Sequence, residues 1–393
     1  MKHFLALLLL LASSAAAQSP VAAIVQELSE ITGWKLNKPI QQETMSRDAL
    51  KSFFTKRIDE VVKPEEIRIE EITLKKFGFV PQDFNLKETT VDLLSEQAAA
   101  FYDYRKKKMV MLESGDMLQQ ALVHELAHAL ADQQFSLEKY LKKGASSDDG
   151  AVARTAVMEG QATWLMSEYM ARRAGNSLID APLLVEAMSR MATASSGAFP
   201  VFEKVPLYMR ESLIFPYARG MVFQQAVVRK LGKEGFSEVF RRPPLTTRHI
   251  LHPETWFAGE KPVDLEVPKR KGYRVLSDGT IGEFDHSILF RQYANEEASL
   301  AESWRGGEYA LYEDKKNKRI ALAYASGWDT PESASRAMKL WRRVLQGKWK
   351  TFEVASESAT EISGRGDDGY FRLTVNGSTL TSMEGLESPD SIR

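Results

Sequence analysis

The chain has no cysteine among its 393 residues. That excludes disulfides and a lipid on an N-terminal cysteine, so stability must come from a core that a chain of this length can bury. Charge of one sign is lacking too. Lysine and arginine number 52 against 53 aspartates and glutamates, a formal net charge of -1, which gives no footprint for nucleic acid or an anionic membrane. Long apolar runs are also missing. Phe4 to Ala12 is uninterrupted, but it falls short of the ~20 residues that span a bilayer. Histidine is scarce, with 6 in the whole chain.

What the start does contain is the pattern of a secretory signal peptide over residues 1–17. Lys2 supplies the positive end, Phe4 to Ala12 the apolar stretch, and Ala15-Ala16-Ala17 the small residues, with the expected cut after Ala17. A retained anchor is the rival reading. On the signal-peptide reading the protein is exported, periplasmic or extracellular, with no stable membrane anchor once the signal is cut.

Two of the six histidines stand in His124-Glu125-Leu126-Ala127-His128, the pattern HExxH. On a helix, positions i and i+4 share one face, so both imidazoles can reach one metal ion, with the glutamate beside them. The surroundings favour a helix. Asp116 is the expected N-cap, Leu118, Ala121, Leu122, Leu126 and Leu130 are good helix formers, and no glycine or proline intervenes from Met117 to Gln134. A helix this apolar is buried, and buried histidines need polar partners. The chemistry indicated is hydrolysis assisted by one catalytic Zn2+, with Glu125 as general base for the attacking water.

A catalytic zinc takes three protein ligands. The extension HExxHxxGxxH is excluded, because Ala131 and Gln134 hold its glycine and histidine positions. A glutamate on a following helix is the other solution. Glu159, in the helical stretch from Ala151 to Ala174, fits best, and the small Gly160 beside it would let two helix backbones approach. Glu138, Asp148, Asp149 and Glu168 are the rivals. Asp132, one turn past His128, is placed to orient an imidazole, in a salt bridge or as a surface carboxylate. Donors for an oxyanion are Tyr217, Arg219, His249 and His252, with Tyr217 and His252 leading.

Along the rest of the chain, helices are expected over Val21–Thr32, Ser46–Val62, Pro64–Phe77, Pro182–Ala194 and Leu213–Leu231, with Leu36–Thr44 extended. Ala98–Tyr104 and Met109–Leu112 read as a β-hairpin around the turn Arg105-Lys106-Lys107-Lys108. Ser136–Gly150 and Phe199–Met209 read as loops, and a linker is expected over Gly259–Pro268. Beyond it, a helix over Ser287–Trp304, a hairpin from Glu308 to Tyr324, a helix after Thr330 and a hairpin at Asn376-Gly377 form a separate unit. The expected division is an amino-terminal helical subdomain or pro-segment (18–80), a catalytic domain (81–262) and a carboxy-terminal α/β domain of unknown role (268–393). The fold class is α+β.

The HExxH segment running on to Asp132, followed by Glu159 on a later helix, resembles the gluzincin zinc metallopeptidases, the thermolysin-like group. Phe101-Tyr102-Asp103, Phe215-Pro216-Tyr217 with Gly220, and Ile250-Leu251-His252-Pro253-Glu254 resemble a bacterial, exported branch. The likeness spans roughly Phe84 to Pro262. It implies a mainly helical zincin-like catalytic domain whose edge strand pairs with an extended peptide or protein substrate. It also implies a zinc set of His124, His128 and Glu159, with Glu125 as base. The chain departs from the thermolysin pattern in a longer gap before Glu159, in Thr163 where an aspartate would stand, and in lacking a dense calcium-ligand loop. A zinc hydrolase of a non-peptide amide and a catalytically silent binding or folding factor are the alternative functions. A metal-free envelope protein is a third.

Overall fold

The structure, a computed structural model, describes residues 20–113, 118–144, 147–193, 199–294 and 298–388. The expected signal peptide and the cap at Asp116 lie outside them. Ile24, Leu28 and Ile31 recur at helical spacing, and they are the buried face of α1 (Pro20–Thr32). An exposed strand, β1 (Gln41–Met45), follows. Ser46 caps α2 (Arg47–Val61) by accepting from the Ala49 N–H. Helix α3 (Pro64–Phe77) opens on its proline and stops at Gly78, whose φ of 88° is a left-handed stop that favours glycine. Asn85 caps α4 (Leu86–Gln97).

The expected hairpin is β2 (Ala100–Asp103) and β3 (Lys108–Leu112). Strand β3 also pairs in parallel with β1, giving the order β1-β3-β2 and leaving β2 at an edge. Then come α5 (Leu118–Phe135), α6 (Leu137–Lys142), α7 (Asp148–Arg173), α8 (Pro182–Thr193), α9 (Pro200–Lys204) and α10 (Leu207–Leu231). Helices α11 (Glu234–Arg241), α12 (Thr247–Leu251) and α13 (Pro253–Ala258) complete this part.

Two expected loops are therefore partly helical. Pro200 and Pro206 stand at helix starts, where a missing N–H costs nothing, so they open α9 and α10 instead of breaking them. Ser147 accepts from the Gly150 N–H, so Asp148 and Asp149 form the first turn of α7.

The carboxy-terminal part holds β4 (Tyr273–Thr280), α14 (Glu283–Ala294), a 3-10 turn over Ala298–Ser303, β5 (Trp304–Asp314) and β6 (Ile320–Trp328). It continues with α15 (Pro331–Lys348), β7 (Phe352–Glu357), β8 (Glu361–Gly366), β9 (Gly369–Asn376) and β10 (Thr379–Leu386). The strands form one sheet, β4-β5-β6-β10-β9-β8-β7, antiparallel at every neighbour. Here the α/β expectation is refined to an antiparallel sheet with helices on one face. Helix α15 buries Ala334, Ala337, Met338, Trp341, Val344 and Leu345, the stripe its sequence shows. Trp304 starts β5 and does not end a helix.

Two large cores result. One joins α1, α5, α7 and α10 around Leu28, Leu126, Trp164 and Phe223. The other joins the sheet and α15 around Tyr324, Trp341 and Phe371, and takes in Leu74, Phe77, Phe79 and Phe84. Residues 20–84 thus contribute to both. The whole is a mixed helix-and-strand structure of α+β class.

Candidate metal centre

Helix α5 is buried nearly all round: Val123, Leu126, Ala127, Ala129 and Leu130 are at most 1% exposed. Such a helix cannot leave polar side chains without partners. His124 and His128 share one face, with their Nε2 atoms 3.0 Å apart. Each Nε2 also lies 3.2 Å from the Oε2 of Glu159. The three ligand atoms thus make a near-equilateral triangle, the one such group that could hold a metal among the described residues. A tetrahedral zinc at ~2.0–2.1 Å from each donor needs donors about 3.3–3.4 Å apart, so the triangle fits with a slight opening. Two imidazole nitrogens aimed at one point with a carboxylate oxygen are what a cation satisfies and a proton does only in part.

Glu159 comes from the middle of α7. There α7 meets α10 with backbone against backbone, since a Cβ added at Gly160 would stand 2.0 Å from the Gly220 carbonyl carbon. One turn before Gly220, Tyr217 therefore reaches the triangle. Its ring stacks on His124 with centroids 5.9 Å apart. The charge of Glu159 and then burial push its hydroxyl well above the usual phenol pKa, so it stays a proton donor although the residue is 38% exposed. Burial would raise the Glu159 carboxyl, but the charge and hydrogen bonds of His128 and His124 outweigh it and hold it low.

Glu125 is 8% exposed. Burial pushes its carboxyl up to about 7, assisted by Glu159 and opposed by His124 and by the backbone of Tyr102 on β2. His124, Glu125, His128, Glu159 and Tyr217 all line one cavity of about 480 Å³, with β2, Phe54, Leu94, Met158, Met166 and Leu213 among its walls.

Asp132 does not touch an imidazole. It accepts from the Tyr102 hydroxyl (2.9 Å), the Lys107 ammonium (2.7 Å) and the Leu137 N–H (2.9 Å). Of its expected roles the salt bridge is the one present, and its effect is to tie the hairpin to α5. Three oxyanion candidates fall elsewhere. Arg219, two residues past Tyr217 and so on another face of α10, points to Glu186 at 3.8 Å. His249 is buried between the Leu245 N–H and the Glu260 carbonyl. His252 is held at 2.7 Å by Glu283.

The rival ligands are engaged as well. Glu138 pairs with Lys142, Asp148 with Thr280 and Tyr309, Asp149 with the Thr247 N–H, and Glu168 with Arg172, Ser177 and the Leu178 N–H. Tyr102, Phe54 and Leu94 were not singled out from the sequence as site residues. The edge-strand position of Tyr102 was the one available signal, because the other two come from helices distant in sequence.

A family model described as a domain of unknown function (DUF8575) matches residues 273–392, which is the antiparallel sheet with α14 and α15. The chain finds no match among the curated proteins and none among the solved structures.

Proposed function

We propose that the chain is an exported, zinc-dependent metallopeptidase of the gluzincin kind, with a zincin-like catalytic part. The observation that carries this reading is the convergence of His124, His128 and Glu159, from two helices, beside a buried glutamate and an open strand edge. These three side chains would hold one zinc ion. Bound there, zinc supplies Lewis-acid chemistry, polarising a carbonyl and acidifying water toward pKa ~7.

The chain's own residues supply the rest. Glu125, buried beside the triangle and lining the same cavity, is placed to take a proton from the attacking water and return it to the leaving amine. The Tyr217 O–H is the donor placed for the developing oxyanion. The Ala99–Leu112 bond makes Phe101↔Val110 a hydrogen-bonded pair, so the backbone groups of Ala100 and Tyr102 point outward to the cavity, where the Tyr102 N–H meets Glu125 and the others stand at the edge. An extended peptide can add there as a strand, held by main-chain bonds. That edge favours a peptide over another amide. No described helix is long and apolar enough to cross a membrane. Export rests on the signal-like residues 1–17.

The test is metal analysis of the chain from Gln18, with a chelator-sensitive peptidase assay. One equivalent of zinc is expected, and Glu125→Gln should retain it while losing hydrolysis. Full activity in that variant, or a chain that binds no zinc, would sink the proposal.

A further inference from the structure

The two faces of β2 are covered by different helices. Phe101 and Asp103 point to α2: the Phe101 ring lies 5.1 Å from that of Phe53 and 5.8 Å from that of Phe54, and Asp103 pairs with Arg57 at 2.7 Å. Tyr102 points the other way, to Asp132 on α5. A strand added to the outer edge of β2 continues both faces, and its successive side chains alternate between them. One set meets the wall that carries the metal-ligand triangle, where Met158, Met166 and Leu213 are exposed to the cavity. The other set meets α2 and α4, where Phe54 and Leu94 line the same cavity and Ile58 and Val61 line a second hollow of about 240 Å³.

Both walls are apolar. On the triangle side, the lining residues that carry acidic groups are Glu125 and Glu159. On the α2 side, Arg57 is occupied by Asp103, and Arg105 faces Glu138. Neither wall offers a free charge to a charged substrate side chain among the described residues.

Resting on the peptidase reading above, we infer that the substrate is an extended segment with apolar side chains on both of its faces. In folded proteins a strand at the surface alternates apolar and polar residues, whereas a run apolar on both faces belongs to a buried strand. Its backbone groups are paired there as well. Such a segment is open to strand addition only in a chain that is unfolded or unassembled. The substrate class is therefore the normally buried strand segments of non-native proteins.

The test uses the zinc-loaded chain from Gln18 and end-blocked peptides of one composition in two arrangements. In one, the apolar residues are consecutive; in the other, they alternate with serine. The consecutive arrangement should be cleaved at least tenfold better in kcat/KM. Aspartate at either of the two positions next to the cut should cost tenfold or more. Leu94→Lys, on the α4 wall of the cavity that holds the triangle and apart from the catalytic residues, should relieve the penalty at the α2-facing position alone. Peptides cleaved without regard to arrangement, or a Leu94→Lys chain with both penalties intact, would overturn this inference and leave the peptidase reading standing. No cleavage of any peptide by a zinc-loaded chain would bring down both.

Discussion

Gly160 on α7 and Gly220 on α10 are in backbone contact, each filling the space where a Cβ of the other would lie. A Cβ on Gly220 would stand 2.1 Å from the Ala156 carbonyl oxygen. This contact sets the distance between Glu159 and the neighbouring Tyr217. Gly160→Ala or Gly220→Ala must push the helices apart. Overpacking of this kind costs about 1–3 kcal/mol or more. A lowered Tm is expected together with an activity loss larger than the stability loss explains, because Tyr217 moves away from Glu159. An alanine variant with unchanged Tm and rate would show that the helices need no such approach.

Glu159→Gln keeps the shape and removes the charge. Outer partners of ligands alone are worth about 10–100-fold in metal affinity, so loss of a charged ligand should exceed that, read by competition with a chelator. Far-UV circular dichroism should be unchanged, since Glu159 takes no part in the apolar core. Added zinc should raise the Tm of the parent chain and not that of the variant.

Asp132→Asn separates two roles that the sequence leaves open. The structure gives this carboxylate to Lys107, Tyr102 and Leu137. Breaking a buried charged partner typically costs about 3–5 kcal/mol when no water reaches the site. Lys107 is half-exposed, so the expected loss is smaller, about 1–3 kcal/mol. Zinc affinity should stay at the parent value. A drop in metal affinity without loss of stability would mean that Asp132 orients an imidazole after all.

Near the start of α7, several groups make stability depend on pH in the same sense, Asp149, Asp285 and His252 among them. Burial, then the charge of Asp285, pushes the Asp149 carboxyl up to about 8, and burial pushes that of Asp285 up to about 7. His252 is raised by its hydrogen bond to Glu283. A group with a raised pKa binds its proton more tightly when folded. Its contribution is complete below the unfolded-state value and is lost as pH rises through the folded one. For the two aspartates that window runs from about pH 4 to about 8, with a slope of at most ~1.4 kcal/mol per pH unit for each group. Urea unfolding should show a more stable protein near pH 5 than near pH 8. Asp149→Asn, which can still accept from the Thr247 N–H, should flatten the slope. An equal slope in that variant would place the proton elsewhere.

The convergence of His124, His128 and Glu159 was legible because its information is local. The two histidines are four residues apart on a helix with no breaker, and the glutamate sits beside a glycine whose smallness has a packing cause. The hairpin at Asn376-Gly377 and the α15 stripe were legible for the same reason, since each is fixed by its own few residues. Strands β4, β7 and β8 were not. Strand β7 is an edge strand with mostly exposed residues, and its alternation ends after Ala355, too short a signal to mark a strand. His252 misled because a histidine in a motif-like run says nothing about the buried Glu283, 31 residues later, that holds it. The far wall of the cleft was hidden in the same way. Phe54 reads as an ordinary helix stripe residue, and the sequence reading places no helix at Leu94, until the fold sets both opposite the triangle.

The amino-terminal segment, readable in the sequence as a subdomain or as a removable pro-segment, offers the sharpest test of how the two cores are joined. Ile24, Leu28 and Ile31 are at most 3% exposed and pack into the α5–α7 core, and the Trp34 indole donates to Ser237 at 3.0 Å. At the other end, the Lys348 ammonium lies between the Glu384 carboxylate (2.5 Å) and the Lys76 carbonyl (2.6 Å), and the Tyr293 hydroxyl donates to the Gly78 carbonyl at 2.6 Å. Phe77, 1% exposed, fills the sheet core against Tyr309, Tyr324 and Trp341. Removing residues 18–80 would open both cores at once, and each large apolar side chain lost costs about 2–5 kcal/mol. That exceeds the 5–15 kcal/mol by which domains are usually stable. A chain beginning at residue 81 should therefore be insoluble or lack a cooperative unfolding transition. Phe77→Ala alone should lower Tm without changing zinc affinity, because that ring lies in the sheet core and not beside His124. A soluble, active chain from residue 81 would instead mark the segment as a pro-region that binds its own enzyme and then leaves.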